Sequence, residues 1–157
     1  AEPADECGLC DRASRGADHD ERDDGQGGAA MDRLKAMRQR HTYAATDNIV
    51  AEYTSKAGGK SYMMGDSFST AEAPELHLHL IGTAPFAKVV LVKDDEEIQS
   101  WEPGKADVQI TWKDPSPAAG KTSYYYFRGE QSKQPKESDG ELVWASPMWI
   151  TFEPSKK

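Results

Sequence analysis

The stretch Glu75-Leu76-His77-Leu78-His79-Leu80-Ile81 decides the fold class. Leu76, Leu78 and Leu80 alternate with His77 and His79, the two-residue period of a strand with one buried and one wet face. Working outward, Ala87–Lys93 follows, and its run Val89-Val90-Leu91-Val92 predicts a strand covered on both faces. Asp94-Asp95-Glu96-Glu97 reads as a charged hairpin tip leading to Ile98–Trp101, and Val108, Ile110 and Trp112 alternate again. Pro115, Pro117 and Gly120 mark a loop before a tyrosine-rich strand, Ser123–Glu130. Ser132–Gly140 is polar and loop-like. Leu142–Ser146 and Met148–Phe152 close the series, with Pro147 between them. In the other direction, Thr42–Tyr53 reads as a first strand, Lys56–Gly59 as a turn, and Tyr62–Phe68 as a short strand broken at Gly65-Asp66.

Seven or eight strands at short spacing, each ended by Gly, Pro or Asp, predict a mainly β chain. The expected architecture is an antiparallel Ig-like or fibronectin-like β-sandwich over residues 42–154. Both cysteines fall outside it, so no core disulfide is expected, and Trp112 or Trp144 would fill its centre. Residues 29–41 read as one short helix, with Ala30, Leu34, Met37 and His41 at helical spacing. Such a helix needs a surface to pack on, and Leu34 and Met37 are expected to find it on the sandwich or on a second copy of the chain.

The 157 residues carry a net charge of -8. Residues 1–28 hold nine acids against three arginines and one large aliphatic residue, Leu9. That composition predicts a disordered acidic tail ending in a flexible joint at Gly25, Gly27 and Gly28. The other 129 residues are nearly neutral and contain all fourteen aromatic rings, from Tyr43 onward. The acidic balance argues against a nucleic-acid partner, and no apolar run approaches the roughly 18–20 residues of a membrane span, so no membrane partner is expected either.

Candidate chemistry is sparse. Cys7-Gly8-Leu9-Cys10 has metal or redox spacing, but only His19 and carboxylates are near it in sequence, and a redox site needs a strand before it and a helix after it. Asp18–Gly25 fails as a calcium loop, because Arg22 and Met31 fall where oxygen ligands are needed. Gly120-Lys121-Thr122 fails as a phosphate loop, because Pro115 stands where its first glycine belongs. His77 and His79 share one side of a strand and are the better metal candidates beside Cys7 and Cys10, although an alternating strand's wet face commonly looks the same. Tyr124-Tyr125-Tyr126-Phe127 with Trp101, Trp144 and Trp149 gives an alternative function, a carbohydrate- or surface-binding module. About half of those rings must instead point into the core. No Ser-His-Asp or Cys-His arrangement and no catalytic carboxylate pair is identifiable.

Five separated segments are more specific. They are Arg38-Gln39-Arg40-His41-Thr42-Tyr43-Ala44-Ala45-Thr46-Asp47-Asn48-Ile49; Met64-Gly65-Asp66; Gly82-Thr83-Ala84-Pro85 with Ala87-Lys88-Val89; Gly120-Lys121-Thr122-Ser123-Tyr124-Tyr125-Tyr126; and Ala145-Ser146-Pro147-Met148-Trp149-Ile150-Thr151. Their order and spacing over about residues 30–153 resemble the C-terminal region of a large, mainly bacterial family of unknown function. That family looks like the PHP (polymerase and histidinol phosphatase) metal-dependent hydrolases. The resemblance implies that the helix is the edge of the hydrolase domain and that the sandwich is appended to it. It implies a divalent metal only in full-length relatives, whose His, Asp and Glu ligands belong to segments that would lie upstream. No metal ligand carries over to a residue here, and no cofactor is expected in this chain. Residues 1–28 do not resemble the family's apolar stretch before the helix.

On this reading the chain is a non-catalytic module with a structural or assembly role. Its partner would be the hydrolase domain or a second copy. Arg40, His41 and Asp47 would approach the active site of a full-length relative; otherwise the same segment is a junction, with Arg40 capping the helix and Tyr43 as packing.

Overall fold

The computed structural model describes residues 26–133 and 140–154. Of the acidic tail read over 1–28, residues 1–25, with Cys7 and Cys10, fall outside the described residues, as does most of the polar 132–140 loop. The elements are α1 (Gln26–Arg38), β1 (Tyr43–Ala45), β2 (Val50–Ala57), β3 (Lys60–Met63), β4 (Ser67–Thr70), β5 (Glu75–Ile81), β6 (Phe86–Lys93), β7 (Glu96–Trp101), β8 (Asp107–Lys113), β9 (Thr122–Gln131), β10 (Leu142–Ala145) and β11 (Met148–Phe152). The helix begins three residues earlier than its apolar spacing predicts. Gly27 and Gly28, expected as a joint, belong to its first turn.

Two sheets face each other, and the chain is the mainly β sandwich that the alternation at 75–81 predicts. One sheet has the order β3-β2-β5-β8. The other is built around β9, the longest strand. Along one edge β9 pairs with β6, and β7 lies beyond. Along the other edge, its C-terminal half pairs with β10 and its N-terminal half with β11. The split at Pro147 is the one the sequence marks. β1 then pairs with β10 and β4 with β11.

Three strand expectations are corrected. The predicted first strand, 42–53, is two strands in different sheets, because the chain crosses over between Ala45 and Val50. The predicted 62–68 strand is broken at Gly65-Asp66 as expected, but its two parts, β3 and β4, lie in different sheets and do not form one strand. Finally, β4 and β11 run parallel, so the larger sheet is not wholly antiparallel.

The core is where the sequence places it, with different residues at its centre. Leu76, Leu78 and Leu80 are buried, and His77 and His79 face out. Val89 to Val92 are all buried, as their continuous run predicts. The bulk comes from Tyr53, Phe86, Tyr125 and Phe127, with Tyr53 edge-on to Phe127 at 5.1 Å between ring centroids. Trp112 is only half-buried, and Trp144 is 38% exposed on the outer face of the larger sheet. Strand phase decides this. Tyr125 and Phe127 share the inward register with Ser123, whereas Trp144 alternates outward between Val143 and Ala145.

Candidate functional site

Three nodes of side-chain contacts stand out, and residues that carry the resemblance form the greater part of the first two. The first ties the helix to the sandwich. At the end of α1 the His41 amide donates to the Ala36 carbonyl (2.9 Å) and the Arg40 amide to that of Met37 (3.1 Å). These are the two bonds of a Schellman cap. Arg40 occupies its left-handed position, φ 61°, where glycine usually sits. Its side chain holds it there: Nε donates to the Gly65 carbonyl at 3.1 Å, and the guanidinium lies 5.1 Å from the centroid of the Trp149 ring. Nε2 of His41 is 2.8 Å from Oδ1 of Asp66, whose Oδ2 accepts the Met63 amide at 2.9 Å. Gly65 donates to the Pro147 carbonyl and Trp149 to that of Asp66, both at 3.0 Å. A Cβ on Gly65 would lie 2.3 Å from the Arg40 carbonyl oxygen. The site is therefore a tight backbone crossing that only glycine admits.

The second node holds Asp47. The Thr83 hydroxyl donates to its carboxylate and lies 3.3 Å from Oε1 of buried Gln131, whose amide nitrogen donates to the Ala84 carbonyl at 2.9 Å. The bond from Thr83, with the Asn48 amide, holds the Asp47 carboxyl below its ordinary value. A Cβ on Gly82 would strike the Gln131 side chain at 2.0 Å, which explains Gly82-Thr83-Ala84 as a collar around one buried amide.

The third node was not legible as a site. Asp114, 4% exposed, follows β8 and reaches across the sandwich. Lys93 Nζ lies 2.6 Å from its Oδ2, the Tyr125 hydroxyl donates to the same oxygen at 2.6 Å, and the Ser116 amide donates to Oδ1 at 2.9 Å. The Tyr53 hydroxyl donates to the Tyr125 carbonyl at 3.1 Å. Burial would raise the Asp114 carboxyl, but these donors and the ammonium of Lys93 hold it below its ordinary value. The same burial, with Asp114 as acceptor, pushes the Tyr125 phenol well up. The available signal was the inward phase of Tyr125 together with the lysine that ends a buried strand.

The candidates read from sequence are thus brought to separate places. Arg40 and His41 bond to the Gly65-Asp66 turn, and Asp47 bonds to Thr83 in a different loop. His77 and His79 share the outer face of the smaller sheet but engage different groups. Nδ1 of His77 is 3.2 Å from the Thr111 hydroxyl and Nε2 is 3.3 Å from Glu75, while Nε2 of His79 is 3.0 Å from Asp107. Among the described residues, no group of three or more His, Cys, Asp or Glu side chains is placed to hold a metal ion. Of the indoles, Trp101 rests on Phe127, Trp112 on Tyr125, and Trp149 lies under Arg40. Trp144 alone is left exposed, beside a shallow groove of about 230 Å³ lined by Lys88, Val90, Arg128, Glu130 and Leu142. No helix among the described residues is long and apolar enough to cross a membrane.

The helix carries the other notable surface. Met31, Leu34 and Met37, spaced three apart, are 67, 50 and 65% exposed. The expected contact of Leu34 and Met37 with the sandwich is not made. The cap fixes the end of α1 at the Gly65–Trp149 junction, and these two side chains remain in solvent.

The chain is similar to an uncharacterized protein of Chlamydia trachomatis serovar D, 28% identical over 134 residues. It is also similar to an uncharacterized protein of Chlamydia pneumoniae, 25% identical over 134 residues. No family model matches the chain, and no solved structure matches it. Each alignment covers 74% of this chain but 20% of the relative, so the chain spans about a fifth of the length of the curated relatives it matches.

Proposed function

We propose that this chain is a non-catalytic β-sandwich module of a larger PHP-like metal-dependent hydrolase, and that its role is structural. The single observation carrying this is α1. It presents Met31, Leu34 and Met37 to solvent while its C-terminal end is locked to the sandwich by Arg40 and His41. An apolar stripe on a rigidly held helix is a seat for another domain. The much greater length of the Chlamydia relatives supports the presence of such a domain. Arg40 and His41 then serve the junction through the Gly65-Asp66 turn, and Asp47 serves the loop at Thr83.

Two experiments test this. The purified chain with Mn²⁺ and p-nitrophenyl phosphate is expected to give no turnover above a metal-free control; turnover would overturn the non-catalytic reading. The separately expressed remainder of a full-length relative is expected to bind the chain, and Leu34→Glu with Met37→Glu to abolish binding. Retention of binding in that double variant would remove α1 as the seat.

A second reading, a glycan-binding module, has one observation in its favour: the exposed Trp144 beside Lys88, Arg128 and Glu130. An exposed indole flanked by hydrogen-bonding side chains can stack on a sugar face. Glycan-array binding that disappears in Trp144→Ala would favour this reading, and an empty array would remove it.

A further inference from the structure

The free edge of β8 is the least protected strand edge among the described residues. β8 is seven residues long, contains no proline and pairs with β5 without a bulge. The other outer strands are blunted. β1, β3 and β4 have three or four residues, and β7 pairs through a bulge and carries Glu96 and Glu97. Sheet edges normally carry such protection because an open ladder recruits another strand.

The ladder's phase shows which groups are open. The Gly82 amide donates to the Ala106 carbonyl (2.8 Å) and the Asp114 amide to that of Pro74 (2.9 Å). Both pairs continue the β5–β8 register. In an antiparallel ladder the bonded pairs alternate, so Val108, Ile110 and Trp112 bond to β5. The amides and carbonyls of Asp107, Gln109, Thr111 and Lys113 therefore point away from it.

We infer that a second copy of this chain pairs antiparallel along this edge, β8 against β8, with the twofold axis at Ile110. The sequence Asp107-Val108-Gln109-Ile110-Thr111-Trp112-Lys113 is complementary to itself in that register. Asp107 falls opposite Lys113 of the second copy at both ends, Gln109 opposite Thr111, Val108 opposite Trp112, and Ile110 opposite Ile110. The groups that point outward are the ones such a ladder bonds. Moving the register by two residues in either direction separates Asp107 from Lys113 at both ends. The result is one continuous eight-stranded sheet. Its inner row then covers Trp112, the least buried inward side chain of β8. A single strand pair buries less than a standard interface, so the dimer dissociates at roughly micromolar concentrations.

Sedimentation velocity on the full chain across the micromolar range tests this. Asp107→Lys and Lys113→Asp, both at exposed positions, place like charges across the axis, and each should weaken dimerisation about tenfold. An equimolar mixture of the two variants restores opposite charges at both ends and should return the wild-type constant. A chain that stays monomeric to millimolar concentration overturns the proposal. So does a dimer that responds to neither variant, or one lost in Leu34→Glu and indifferent to the edge charges, which would place the interface on α1. None of these outcomes depends on the hydrolase reading.

Discussion

Asp114 shows how one buried carboxylate can serve as a pin between two sheets. Its partners Lys93 and Tyr125 come from the larger sheet, and the residue itself follows a strand of the smaller one. Removing it strands an ammonium group in a half-closed interior, so Asp114→Ala is expected to cost about 3 kcal/mol in urea unfolding. Its depressed carboxyl also fixes the sign of a pH effect. The stabilisation is present above the unfolded-state value and is lost as the pH falls through the lower folded value, below about pH 4. Asp114→Asn should flatten that acid limb of the stability profile. Gly65 is the other decisive residue. A methyl group there meets Arg40 backbone at 2.3 Å and forces a side chain onto φ 92°. Gly65→Ala is therefore expected to cost about 3 kcal/mol, read as a lower urea midpoint. Neither residue announces this role in the sequence. Asp114 is one acid among many in the chain, and its burial depends on which loop of one sheet meets which strand of the other.

Among the elements, strands with a clean period of two were legible and strands interrupted by crossovers were not. β5, β6 and β8 stand almost where their alternation or apolar run places them, because one burial face runs unbroken through each. The 42–53 stretch reads as one strand because the sheet exchange at 46–49 leaves the local β character intact on both sides, and at 62–68 the break at Gly65-Asp66 is legible but the change of sheet is not. The helix was legible as a helix but not in its packing. Its apolar spacing predicts a covered face, and the fold leaves Leu34 and Met37 uncovered. Their contribution to the sandwich's own stability is therefore small. Leu34→Glu and Met37→Glu should each change the unfolding free energy by less than about 0.5 kcal/mol in thermal or urea melts. The motif residues were legible as important and illegible as to purpose. Arg40, Asp47, Gly65, Gly82 and Trp149 are spread along the chain, and only the fold shows that they close backbone crossings and loop collars.

At the scale of the molecule, the opening contrast in charge has a structural counterpart. The described residues hold the aromatic, nearly neutral sandwich, and most of the net -8 belongs to a stretch outside it. The net charge is accordingly no guide to what the sandwich touches. The topology carries a further consequence. Tyr43, at the start of β1, is paired with Ala145, about a hundred residues later, and β4 waits for β11, the last strand of the sandwich. On the ribosome, then, the first strand of the larger sheet emerges long before its partner exists. That sheet can close only after β11 has left the exit tunnel, whereas the β2–β3 hairpin is free to form as soon as Met63 emerges. Such long-range closure is slow. Refolding from urea, followed by tryptophan fluorescence, should take milliseconds to seconds, the range of sandwiches whose contacts are mostly distant in sequence.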